Sequence, residues 1–194
     1  MGIFPEAEVL AKADAAGATF GAELARIGWQ GSADPAALQG LGAYFELHIE
    51  QGPVLEREGL DLGIVTHALA QHWFDVTVTG AEAHGGSRNV VPGRVWFSLD
   101  TRHDHEDLLA ALAATLRAEA AGIAARRGVA IAFEDFWISP ATPFDPGLVG
   151  HLRAAARARG IAHREMPTAI GHDALYVARR LPAAMLFVPC HGGL

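Results

Sequence analysis

Residues 44–50 read YFELHIE, and their alternation decides what kind of fold this chain adopts. Phe45, Leu47 and Ile49 fall on one side of an extended strand, and Tyr44, Glu46, His48 and Glu50 on the other. A period of two predicts a strand whose apolar face is buried, and Gly52-Pro53 stops it. The polar face sets an imidazole between two carboxylates, a donor set that suits zinc or manganese. A solvated strand face carries the same residues, and a structural metal site wants about four ligands.

Working outward, Thr19 caps a short helix that ends near Gly28, and residues 29–40 read as loop or a short turn of helix. Gly63–Ala70 is an apolar run of strand length, Trp73–Thr79 alternates again, and Val95–Thr101 does so after a Gly/Ser/Asn/Pro loop over 81–94. Asp104 is placed to cap a long helix striped by Leu108, Leu109, Leu112, Leu116 and Ile123. Its acidic start and its Arg126-Arg127-Gly128 end suit the helix dipole and a C-cap. Val129–Phe133 reads as a strand, and the proline-rich residues from Trp137 read as a connector. Asp145-Pro146 opens an Ala/Arg-rich helix ending near Gly160, Asp173–Arg180 a short one, and Ala183–Val188 is a buried strand. The expected class is α/β and α+β. A partial α/β body over 1–71 and 135–194 carries an inserted α+β layer over 72–134.

Composition bounds the function. The chain has 194 residues, 51% of them hydrophobic and 19% charged, enough to bury a core. A net charge of −7 argues against a nucleic-acid partner, which needs a basic face. No uninterrupted apolar run reaches membrane-spanning length, and MGIFPEAE is not a signal peptide, so no membrane partner is expected. The single cysteine, Cys190, excludes an internal disulfide and suits a reducing, cytoplasmic compartment.

Other residues carry chemistry less specifically. His103 and His105 flank Asp104, but adjacent strand positions point apart, so surface groups are expected. In Gly171-His172-Asp173 the Asp either orients a ring or favours a helix start. Arg102 shares a strand face with Asp100, as a carboxylate clamp or a plain surface ion pair. Cys190-His191 lacks the setting of a nucleophile and its base.

Three blocks together, ELHIEQGPVLE (46–56), VTVTGAEAHGG (76–86) and SRNVVPGRVWFSLDTRH (87–103), resemble the N-carbamoyl-L-amino-acid hydrolase, allantoate amidohydrolase and ureidopropionase group. These enzymes belong to the wider M20-type metallopeptidase clan. MPTAIGHDALYVARRLPAAMLFVPCHGGL (166–194) is similar to that group's C-terminal block. The resemblance implies a catalytic body with a lid that dimerises, giving a homodimer. It implies two divalent cations, Zn or Mn, and a carbamoyl amino acid or ureide substrate cleaved at a C–N bond by metal-activated water. His48 would be a metal ligand, and Gln51 and His172 would meet the substrate. Asn89 and Arg102 would grip its α-carboxylate, and His84 would hold the polarised amide oxygen.

Against the family pattern, the half that carries a metal His, a bridging Asp, a ligand Glu and the general base is not matched by these residues. The chain stops at Gly192-Gly193-Leu194, before the last metal His, and Ile170 stands where the family has a small residue. Gly86 runs straight into Ser87, so a helix and a strand of the lid are expected to be missing. The expectations are therefore a lone metal ligand, His48, no catalysis by the chain alone, exposed apolar surface on the 44–50 strand, and at most an association role.

Overall fold

Two β-sheets organise the described residues, 4–33, 40–80 and 91–193, of this computed structural model. Helices α1 (Glu6–Ala11) and α2 (Phe20–Arg26) precede strand β1 (Tyr44–Ile49), and helix α3 (Val54–Glu58) leads into strand β2 (Leu62–Ala68). Strands β3 (Ala70–Thr79) and β4 (Arg94–His103), helix α4 (Glu106–Arg127) and strand β5 (Ala130–Ser139) follow. Then come strand β6 (Thr142–Pro143), helix α5 (Pro146–Ala158), strand β7 (His163–Thr168), helix α6 (Asp173–Val177), strand β8 (Ala183–Val188) and a 3-10 turn at His191–Gly193. The chain thus has the expected mixed α/β and α+β character.

The first sheet runs β1-β8-β2-β6, with β7 on the other side of β2. β1 lies parallel to β8, with Glu46 opposite Met185 and His48 opposite Phe187. Its core gathers Leu55, Ile64, Val65, Val149, Leu175, Met185 and Phe187. At Gly63 a Cβ would stand 2.6 Å from the Met166 sulfur and 3.2 Å from the Phe187 Cβ, so a larger residue would have to push the Met166 side chain aside. Helix α5 is capped as its sequence predicts: Asp145 accepts from Leu148 N at 2.8 Å and Pro146 takes the first turn.

The second sheet, β4-β3-β5, is antiparallel and carries α4 on the face of Phe74 and Val76. Leu109 and Ala113 of α4 are buried, whereas Leu108, Leu112 and Ile123 of the expected stripe are exposed. α4 is alanine-rich around its whole circumference, so its apolar residues do not gather on one face. By length and composition alone α4 could cross a membrane; it packs instead on the sheet. Its Arg117 reaches Asp135 at 2.7 Å and covers the Phe74 and Phe133 rings.

Four local expectations change. His105, not Asp104, is the residue before α4, and Asp104 turns instead to His67 Nε2 at 2.8 Å. β5 runs on through Trp137 to Ser139, because β3 pairs with it past a bulge at Trp73/Phe74. β7, α1 and α3 form where no element was expected. Most consequential, β1 has Tyr44, Glu46 and His48 partly covered, while Phe45, Leu47 and Ile49 are 55%, 66% and 38% exposed. The strand lies at the sheet edge, and among the described residues nothing seals its apolar face, against the burial that the alternation predicts.

Candidate metal centre

The polar face of β1 meets the start of α6. Glu46, His48, Gly171, His172, Asp173 and Tyr176 line an open cavity of about 410 Å³. One donor atom from each of Glu46, His48 and His172 lies within 4.8 Å of the others. The His48 and His172 rings meet edge to face with centroids 4.6 Å apart, and His172 Nδ1 stands 3.6 Å from Glu46 Oε1. The expectation that His48 stands alone is corrected: Glu46 and His172 offer donor atoms beside it.

Each of the three side chains is held from behind. Glu46 Oε2 accepts from Ala174 N at 2.8 Å and from the Tyr44 hydroxyl at 3.2 Å, tying β1 to the first turn of α6. The adjacent carboxylate raises the Tyr44 phenol pKa, adding to the larger effect of burial. His48 Nδ1 lies 2.8 Å from the Ile49 carbonyl, and His172 Nε2 lies 3.0 Å from the Thr168 hydroxyl. Burial holds the His172 imidazole below its ordinary pKa, and neighbouring His48 adds to this against Glu46 and Asp173. A neutral imidazole is the form that binds metals. Glu50, the second carboxylate of residues 44–50 and just past the end of β1, is turned away: it is buried and accepts from Val54 N and Leu55 N, both at 2.9 Å, at the start of α3.

The other sequence candidates lie elsewhere. Gln51 is exposed, just beyond β1, with φ at +51°. Arg102 stands on β4, its guanidinium spanning the Asp100 carboxylate and also donating to the Ala169 carbonyl. Asp100 correspondingly raises the Arg102 pKa. Gln71 donates to the same carbonyl at 3.1 Å, so the two sheets meet at the loop before His172. His84 and Asn89 lie outside the described residues. The Cys190 thiol is buried against the Gly52 carbonyl, and His191 pairs with Glu56 at 2.7 Å. Glu46 was marked in the sequence only by sharing His48's face. His172 reaches the cluster through chain topology.

Residues 12–194 match the model of the peptidase family M20/M25/M40. The chain is 35% identical to an N-carbamoyl-L-amino-acid amidohydrolase of Rhizobium meliloti over 95% of its own length and 55% of that protein's. It is 29% identical to an allantoate amidohydrolase of Bacillus subtilis, covering all of this chain and 58% of that one. That second alignment runs over 238 positions against the 194 residues here, so the relative carries extra residues within the matched span. A hydantoinase/carbamoylase family amidase from Burkholderia multivorans superposes with a TM-score of 0.87 at 37% identity, over the whole chain and 57% of that structure. The chain thus spans little more than half the length of these relatives, and it belongs to the peptidase family M20/M25/M40.

Proposed function

We propose that this chain carries the second half of a metal-dependent amidohydrolase that cleaves a C–N bond of a linear amide. The substrate is an N-carbamoyl amino acid, allantoate or a related ureide. The family match supports the hydrolase class, and the relatives' activities support the substrate class. The observation that carries the reading is the convergence of Glu46, His48 and His172 in one open cavity.

A pair of divalent cations, Zn or Mn, does not fit these residues. Two ions about 3.5–4 Å apart need ligands on both flanks, and among the described residues three donors gather around one point. No catalytic step is assigned to the 194 residues by themselves. Their part is to bind and orient. His48 is a metal ligand, and Gln51 and His172 face the substrate. Arg102 and Asn89 hold the substrate's α-carboxylate, and His84 donates to the oxygen that gains charge. The carboxylate of a substrate must displace Asp100 from the Arg102 guanidinium, since the two compete for the same planar donors. The body at 1–71 and 135–194 supplies the ligand, the layer at 72–134 acts as lid, and the free thiol of Cys190 suits the cytoplasm.

The test is complementation. The chain is mixed with the separately produced first half of the Rhizobium meliloti relative, with Zn or Mn, and assayed on N-carbamoyl amino acids and allantoate. No turnover alone, turnover on mixing and its loss in His48→Ala are expected. Turnover by the chain alone, or none on mixing despite a formed complex, contradicts the reading. A second reading, a non-catalytic homodimerising module, draws on Trp96, Phe136 and Ile138 of the lid sheet, which are 59%, 66% and 64% exposed. Light scattering that shows a monomer at high concentration counts against it.

A further inference from the structure

We infer that the 194-residue chain binds one divalent cation through Glu46 Oε1, His48 Nε2 and His172 Nδ1, a mononuclear site assembled wholly from its own β1 and the start of α6. The inference rests on the reading of His48 as a metal ligand. It gives His172 and Glu46 a metal contact where the family resemblance gives His172 a substrate contact and Glu46 none.

A carbonyl only accepts, so His48 Nδ1 carries the hydrogen that reaches the Ile49 oxygen, which in a neutral ring leaves Nε2 as the nitrogen with a lone pair to offer. The Thr168 hydroxyl accepts from Ile170 N at 3.2 Å and sends its single proton toward the Ile170 carbonyl at 3.4 Å. With its proton so placed, the hydroxyl receives the hydrogen of His172 Nε2, and in that neutral tautomer Nδ1 is bare. A proton on Nδ1 would draw the Glu46 carboxylate to about 2.7–2.9 Å, the length of a charge-assisted bond. The atoms stand at 3.6 Å. Two acceptors so placed repel one another unless a positive ion lies between them.

The spacing suits a cation. Ligand atoms on a tetrahedron with bonds of about 2.1 Å are about 3.4 Å apart, close to the 3.6 Å edge between Glu46 and His172. A ring nitrogen of His48 lies within 4.8 Å of donor atoms of both. Two imidazoles and one carboxylate, with a fourth position left open, form a ligand set of catalytic zinc sites. Here that position faces the 410 Å³ cavity. Each ligand also has an outer partner that fixes its orientation: Ile49 O for His48, Thr168 for His172, and Ala174 N with Tyr44 for Glu46.

The test titrates Zn²⁺, then Mn²⁺, into chelator-treated chain and follows both stoichiometry and the imidazole ¹⁵N resonances. One equivalent is expected, with His48 responding at Nε2 and His172 at Nδ1. His172 carries its proton on Nε2 before metal is added. His48→Asn, His172→Asn and Glu46→Gln each weaken binding by at least about tenfold, and the paired change His103→Ala, His105→Ala leaves it unaltered. The ¹⁵N readout on the unsubstituted chain decides the matter even where a variant unfolds. No binding at millimolar metal, binding that leaves these resonances unmoved, or a metal-free His172 protonated on Nδ1 overturns the inference. Failed complementation with the site intact refutes the proposed activity and not this site.

Discussion

On one face of β1, Tyr44, Glu46 and His48 are drawn under α6 and into hydrogen bonds. On the other, Phe45, Leu47 and Ile49 stand 55%, 66% and 38% exposed. Two strands away the same apolar face is sealed: Ile64 of β2 is fully buried, and Arg153 of α5 reaches Glu165 of β7, which lies opposite Ile64 in the register. On this face the sheet has cover where α5 packs and, among the described residues, none over β1. The difference teaches that the polar face of β1 owes its order to local partners, while the apolar face is shaped for cover it does not find among the described residues. An exposed row of this kind on an edge strand is a place for another segment to add, or for aggregation.

Substitution on either side of the sheet breaks or sharpens this contrast. Phe187→Ala empties the covered core beneath His48 and should cost about 3–5 kcal/mol in urea unfolding. Leu47→Ala on the bare face should change stability by less than about 0.5 kcal/mol, and Leu47→Lys should lower light scattering at high concentration. Equal costs for Phe187→Ala and Leu47→Ala would mean that Leu47 is covered in solution.

A smaller effect is expected at the tie between β1 and α6. Glu46→Ala strips the partner from Ala174 N and the Tyr44 hydroxyl and should cost about 1–2 kcal/mol. No loss on denaturant unfolding would show that α6 is held by packing alone.

The smallest effect concerns the ion pair over the sealed end. Hydrogen bonding to Arg153 holds the Glu165 carboxyl below its ordinary pKa. A carboxylate lowered in the folded state adds stability above its unfolded value, about 4.3, and loses it as pH falls through the folded value. Arg153→Ala should therefore lower the urea midpoint only slightly at neutral pH and converge on the unsubstituted chain in acid. A difference that persists at pH 2 would point to lost packing of the arginine stem.

Much of this architecture was legible in the residues. The period of two marked β1 and β3, Asp145-Pro146 marked α5, and the apolar run marked β8. β7 escaped because HREMPT has neither alternation nor an apolar run; it is a strand because β2 offers it an edge. α3 is only five residues long, fixed by Glu50 at one end and Gly59 in the left-handed region at the other. The burial of β1 could not be read, since alternation tells which residues share a face and not which face is covered. Of the metal cluster, His48 and Glu46 shared a legible face. His172 joins them from 124 residues further along the chain, through the parallel β1–β8 pair and α6.

The most direct test of the account is the number of divalent cations the purified 194-residue chain retains after loading with Zn²⁺ and removal of excess, measured by inductively coupled plasma mass spectrometry. One ion per chain is the expected result. Two per chain would contradict the incomplete centre, and none would contradict the Glu46, His48 and His172 site.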